Sequence, residues 1–307
     1  MRLALACGLF ASSVAMSSCV VNVDSQALIE RDEKRFTVKG TPDLNLTTFD
    51  GAMEIRSWDQ PGVLVEIEKR GATRESVDGL IVQVTQDGDR ISVDVKRPKS
   101  ETLSGFGFNQ SASAKLIVSV PQQTNLVARS GDGSIKIERV AGRLELSTGD
   151  GSIRASEVDG DVRLSTGDGS VHVSGAQGRV QVETGDGSVE VAGSMTAVKL
   201  HTGDGAIVYR ADDRSAMSDD WEITTGDGSV TLYLPEDFSA ELDARTSDGG
   251  IRNDLHAGSL TAEAEEGAIS REQHDENNRR AVRGRLGKGG KTLKIRTGDG
   301  AIRLRAS

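Results

Sequence analysis

Only two cysteines occur in the 307 residues, Cys7 and Cys19, and none follows position 19. The rest of the chain can therefore build no disulfide and no thiolate metal site. Proline is scarce, at 5 residues, and Phe, Trp and Tyr together make up 3%. So few rings argue against a lectin or a sugar-processing enzyme, because both usually stack aromatic side chains on their ligands. Positive charge is also short: 37 Lys and Arg against 47 Asp and Glu leave a net charge of −10. A phosphate backbone would be repelled, so nucleic acid is not an expected partner. After the first 15 residues no apolar run is long enough to read as a transmembrane helix.

What is abundant is glycine, at 36 residues, among apolar residues dominated by Val, Ile and Leu. The N-terminus has a separate character. Arg2 is a minimal positive region, Leu3 to Ala15 is an apolar segment too short to span a bilayer, and Met16-Ser17-Ser18-Cys19 follows. This run looks like a lipobox, which implies a signal peptide over 1–18 and an acylated Cys19 at the mature N-terminus. Cleavage after Ser13-Val14-Ala15 is the competing reading. The residue after the anchor is Val20 rather than Asp, which in a two-membrane bacterium points to the outer membrane. Residues 19–34 read as anchor and short tether, and 35–307 as one repetitive β domain.

Internal repeats organise that domain. The string Thr-Gly-Asp-Gly-Ser, or a close variant, recurs with its aspartate at Asp132, Asp150, Asp168, Asp186 and Asp204, always 18 residues apart. It returns at Asp227 and Asp248, degrades to Glu266-Gly267, and reappears at Asp299, with an outlying copy at Asp50-Gly51. Apolar residues sit two apart on either side, as in Leu144 and Leu146 before the corner and Val171 and Val173 after another. Spacing by two is strand periodicity with one face buried, so each repeat reads as two short strands joined at a Gly-Asp-Gly corner.

Two folds satisfy that pattern. Asp-Gly between alternating strands is a hairpin signal and would give an antiparallel β-meander. A β-solenoid, resembling a parallel β-helix with coils of about 18 residues, would stack each repeat on the next at about 4.8 Å. Stacking is favoured because two strands of a coil cover each other's apolar face and fixed spacing aligns like residues. It would also pair outward charges between successive repeats: Glu145 with Arg163, Lys199 with Glu222, Arg245 with Glu263. The less regular strands and loop of 35–113 are expected to cap the N-terminal end, with regular repeats over 114–307. Residues 211–220 and 271–291 break the period and read as inserts, the second as a surface loop.

The residues Phe36-Thr37-Val38, Leu44-Asn45-Leu46-Thr47-Thr48, Asp50-Gly51 and Ile55-Arg56-Ser57-Trp58-Asp59 lead into this array. Val118-Ser119-Val120-Pro121 introduces the repeats and Leu232-Tyr233-Leu234-Pro235 echoes it. In these features the chain resembles the bacterial β-strand-repeat proteins classed as a domain of unknown function and labelled "putative adhesin", over roughly residues 35–306. The resemblance implies a cell-surface β-solenoid, and some relatives are associated with envelope-stress signalling.

No catalytic constellation emerges from the repeats. Paired carboxylates arise from the period itself, so a polysaccharide-acting enzyme is the least favoured class. His172, His201, His256 and His274 are scattered without metal-ligand spacing. Thr-Gly-Asp-Gly-Ser lacks the lysine and the following helix of a phosphate loop. If coils stack, Asp132, Asp150, Asp168, Asp186, Asp204 and Asp227 form a column of like charges. Neighbours about 5 Å apart then repel by about 0.8 kcal/mol in water. Turn hydrogen bonds and solvent can absorb that, and a Ca²⁺ ladder is the sharper alternative. No cofactor is expected. The expected function is a non-catalytic, adhesin-like envelope lipoprotein, with the membrane and an envelope protein or surface glycan as partners. The alternative is a regulatory accessory that contacts a membrane sensor.

Overall fold

The computed structural model describes residues 20–24, 27–97, 112–255, 260–262 and 280–307. The leader 1–18, Cys19, His256, Glu263, Glu266-Gly267, His274 and most of the loop 97–113 lie outside the described residues. The expected all-β solenoid is present, and a single 24-stranded sheet folds into two ladders whose inner faces share one aliphatic core.

The chain begins with antiparallel pairing. Val20–Asp24 (β1) lies against Ala27–Thr37 (β2). Asp43–Thr48 (β3) and Met53–Ser57 (β4) follow as a two-strand coil around Asp50. Gly62–Gly71 (β5) then pairs with β2, and a five-residue helix, Arg74–Asp78 (α1), leads to the hairpin of Ile81–Asp87 (β6) and Arg90–Lys96 (β7). Ser113–Val120 (β8) lies between β4 and β5, parallel to the first and antiparallel to the second. The segment expected as a tether is therefore built into the sheet. Its run of charged residues reads as loop in isolation, but β5 supplies complementary charges, with Arg31 3.0 Å from Glu68 and Lys69 3.9 Å from Glu30.

The regular coils follow in alternating strands. Asn125–Ser130 (β9), Ile135–Glu138 (β10), Ala141–Thr148 (β11), Ile153–Ser156 (β12) and Asp159–Thr166 (β13) come first. Val171–Thr184 (β14) and Val189–Thr202 (β15) each run unbroken through the corner opposite Gly-Asp-Gly, and Ile207–Ala211 (β16), Trp221–Thr225 (β17) and Val230–Leu234 (β18) complete the series. Leu144 stands opposite Val162, Val162 opposite Val180, and Val180 opposite Val198; in the second ladder Ile153, Val171 and Val189 align. All these pairings are parallel, which excludes the meander. The alternation decides the faces: Leu164 and Val171 are buried, whereas Arg163 and His172 are exposed.

Close stacking explains the invariant corner. Gly167 N–H donates to Gly149 O at 2.5 Å, and Gly185 N–H to Gly167 O at 2.6 Å. A Cβ on Gly149 would sit 2.6 Å from Gly131 O, and one on Gly167 would sit 2.8 Å from Gly149 O, leaving no room for a side chain. The hydroxyl residue before the corner, Ser130 in the first regular coil and threonine in the others, is buried and closes it. Thr166 Oγ1 donates to Gly149 O at 3.1 Å and Gly151 O at 2.8 Å of the preceding coil and accepts from Gly169 N at 3.3 Å.

The ends depart from sequential stacking. Coil β3–β4 sits between β7–β8 and β9–β10, so the outlying Asp50 copy belongs inside the array. At the other end come Ala240–Thr246 (β19), Ile251–Asp254 (β20), Leu260–Ala262 (β21), Ala281–Leu286 (β22), Thr292–Thr297 (β23) and Ile302–Ala306 (β24). The last coil, β23–β24, inserts between β17–β18 and β19–β20. Arg245 therefore faces Arg296 and Ala281 rather than Glu263. The expected surface loop 271–291 also carries β22, an antiparallel strand on β19. Complementary charge accompanies both corrections on the first ladder. Residues 280–307 hold nine Lys and Arg against a single acid, Asp299, and they lodge between strands bearing Glu222, Glu241 and Asp243.

Candidate functional site

Two surfaces stand out: the column of aspartates along the Gly-Asp-Gly corner, and the C-terminal end, where the repeat breaks. The column runs Asp50, Asp132, Asp150, Asp168, Asp186, Asp204, Asp227, Asp299, Asp248, as the stacking of the flanking glycines dictates. Insertion of the last coil places Asp299 ahead of Asp248. Arginines neutralise the two ends, Arg97 at 3.1 Å from Asp50 and Arg280 at 3.6 Å from Asp248. The aspartates between are exposed to solvent. Each coil contributes one carboxylate, and among the described residues no three His, Cys, Asp or Glu side chains converge on one ion position. His172 lies 3.2 Å from Glu190 on the outer face of the second ladder, while His201 bonds Thr224 at 2.8 Å on the first.

At the C-terminal end the corner opposite Gly-Asp-Gly carries three long connections. Residues 212–220, 235–239 and 287–291 meet around an open cleft of about 750 Å³ lined by Arg214, Ser215, Met217, Phe238, Ser239 and Lys291, among others. Beneath it lies an aromatic cluster: Tyr209 meets Trp221 edge-on at 5.3 Å, and Trp221 meets Phe238 at 5.2 Å. Burial pushes the Tyr209 phenol well above its ordinary value. These rings fill the wider cross-section that the long connections create, so they serve packing.

The outer faces of this end are rich in arginine. On the first ladder, Lys294 reaches Glu222 at 2.7 Å, and Asp243 collects Arg296 at 2.5 Å, Arg245 at 3.1 Å and Arg283 at 3.5 Å. Burial raises the Asp243 carboxyl, but the hydrogen bond and charge of Arg296, with Arg245 beside it, outweigh burial and hold it below the usual carboxylate range. The second ladder is less balanced. Arg210 lies over the Tyr233 ring, 4.1 Å from its centroid, and Arg305 donates to the Tyr233 hydroxyl at 3.3 Å. The two arginines hold that phenol below its ordinary value. Arg303 stands directly opposite Arg252 on the neighbouring strand.

The contacts of Arg296, Arg303 and Arg305 depend on the inserted last coil, so the spacing of the repeat does not reveal them. The one available signal was the basic bias of residues 280–307. The sites read from sequence fare differently: the aspartates do form a column, the histidines described stay apart, and Cys19 lies outside the described residues.

The fold and these surfaces define a repetitive β-solenoid protein with extended charged outer faces. More particularly, the chain belongs to the Toastrack DUF4097 family, which matches residues 53–305. No curated protein matches the sequence significantly. Among solved structures the chain is similar to a putative cell adhesion protein from Clostridium sporogenes, at 13% identity over 90% of this chain and 100% of that one, with a TM-score of 0.30. It is also similar to a putative adhesin from Bacteroides fragilis, at 11% identity, 89% and 96% coverage and a TM-score of 0.38. A putative lipid binding protein from Parabacteroides distasonis matches at 9% identity, 89% and 96% coverage and a TM-score of 0.32. Likenesses at this level transfer no function.

Proposed function

We propose that the protein is a non-catalytic, adhesin-like binding module of the bacterial cell envelope, held at the membrane by a lipid on Cys19. The observation that carries this reading is the architecture itself: a stiff stack of coils whose sheet begins at Val20, directly after the proposed anchor. A lipid there would hold the end of the rod formed by β1, β2 and β5 against the bilayer and leave the outer faces of the coils free for a partner. The extended rows of charged side chains on those outer faces support a binding role.

Two experiments test the proposal. Cys19→Ala should yield an unacylated protein that no longer partitions with membranes; a wild-type mature N-terminus at Met16 without lipid overturns the anchor. Crosslinking in intact envelopes, followed by identification of the captured species, tests the role. Loss of whole-cell binding on deletion supports the adhesin-like reading, whereas capture of one sensor kinase or anti-sigma protein favours the regulatory one.

A further inference from the structure

The outer face of the second ladder, near the C-terminal end, brings together four arginines and a tyrosine from four strands. Strand β16 supplies Arg210, β18 supplies Tyr233, β24 supplies Arg303 and Arg305, and β20 supplies Arg252. Arg252 and Arg303 are directly opposed on one face, an arrangement that destabilises a sheet when like charges meet. The equivalent clash on the first ladder, Arg245 against Arg296, is offset because Asp243 binds both. No carboxylate does this for Arg303: among the described residues its guanidinium has no ion pair. Among the described residues two carboxylates share this face: Asp254, directly opposite Arg305 on the neighbouring strand, and Glu190 at its margin. Asp254 lies 4.0 Å from Arg252, and Glu190 lies between His172 at 3.2 Å and Arg210 at 3.9 Å. In a chain of net charge −10, four arginines thus share one face with a local excess of positive charge.

We infer that this face, Arg210, Tyr233, Arg252, Arg303 and Arg305, is a binding site for a linear anionic glycan, with carboxylate or phosphate groups on its sugars as the recognised chemistry. The inference rests on the binding-module reading and names its ligand class. Several observations select this occupant. The backbone positions that carry these arginines stand about 4.8 Å apart on neighbouring strands and about 6.8 Å apart two residues along a strand. That grid lets several arginines reach successive anionic groups of an extended polymer, each as a charge-assisted, often bidentate contact. Among the described residues the outward side chains here are charged or polar apart from the half-buried Val208, which disfavours a lipid surface. Tyr233 is held between guanidiniums and offers its polar edge, so recognition depends on charge and the low aromatic content is no obstacle. The acidic column runs along the Gly-Asp-Gly corner rather than this face, and would repel the same polymer there.

The test is binding of the full-length protein to polygalacturonate at low and physiological salt, by calorimetry. A neutral glucan and vesicles with and without anionic lipid serve as comparisons. Arg303→Gln and Arg305→Gln are expected to weaken polygalacturonate binding about tenfold or more each, while Arg163→Gln on the other ladder leaves it unchanged. Arg303→Gln should also leave the melting temperature of the free protein unchanged or higher, since it removes a repulsion. Binding that ignores the Arg303 and Arg305 variants, or that appears only with anionic vesicles, overturns the inference. A protein partner captured in envelopes without any polygalacturonate binding also overturns it, while leaving the binding-module reading intact.

Discussion

Replacing Gly169 by alanine isolates the requirement that shapes the corner. The φ of Gly169 lies outside the left-handed region, so the residue is glycine for space rather than for conformation. An added Cβ would fall inside van der Waals contact of Gly151 O, 2.6 Å from Gly151 C and 2.8 Å from Thr166 Oγ1. Backbone cannot swing aside, because Gly151 O is held by the Thr166 hydroxyl at 2.8 Å. Relief means prising two coils apart. Overpacking of this kind costs about 1–3 kcal/mol, and the threonine bond adds about 1 kcal/mol, so the loss should be about 2–4 kcal/mol. Gly175 supplies the contrast. Its φ is +63°, and a Cβ there meets nothing nearer than Glu157 Cγ at 3.6 Å. Alanine at 175 should cost about 1–2 kcal/mol for its left-handed backbone. Asparagine, which tolerates that conformation, should recover part of this. At 169 asparagine should be worse than alanine. Urea melts of the four variants, compared within one series, read these differences. If Gly169→Ala costs no more than Gly175→Ala, or if asparagine rescues position 169, coil spacing is not what the corner glycines protect.

Leu164→Ala should cost on the order of 2–5 kcal/mol, the range for a large-to-small core change. Arg163→Ala, exposed on the outer face, should cost well under 1 kcal/mol, and equal losses in denaturant would refute the assigned faces. Glu68 supplies a pH dependence: burial raises its carboxyl, but Arg70 and Arg31 outweigh burial and depress it below the ordinary value. Its contribution is therefore full above the unfolded carboxylate range, near pH 4.3, and is lost as pH falls through the lower folded value. Glu68→Gln should shrink the stability difference between pH 7 and pH 3; an unchanged difference argues that the Arg31–Glu68–Arg70 cluster does not couple to folding. Melts in EDTA, NaCl, Mg²⁺ and Ca²⁺ interrogate the aspartate column. A small rise shared by all salts is the expected outcome, as screening requires, and a large Ca²⁺-specific rise would establish ion sites instead.

Much of the molecule was legible in the chain because its determinants are local and periodic. Alternation at spacing two specifies which residues face inward, and the 18-residue period specifies the register, so Leu144, Val162, Val180 and Val198 align as their spacing requires. The Gly-Asp-Gly string likewise places its aspartates in one column, since every coil turns at the same point. The segments that misled were those whose conformation depends on a distant partner. Residues 28–34 look like loop until β5 answers their charges, and residues 281–286 look like loop until β19 does. The candidate arginine face was hidden for the same reason: Arg252 and Arg303 meet only because a later coil inserts ahead of an earlier one. Sequence by itself determined the strands of the regular coils, their faces and the coil length, all set by steric and hydrophobic patterns within a repeat. Tertiary structure alone decided the order of coils at the two ends, because any coil of the right period can hydrogen-bond to any other. At the C-terminal end the order adopted sets Lys294 and Arg296 of the last coil against Glu222 and Asp243.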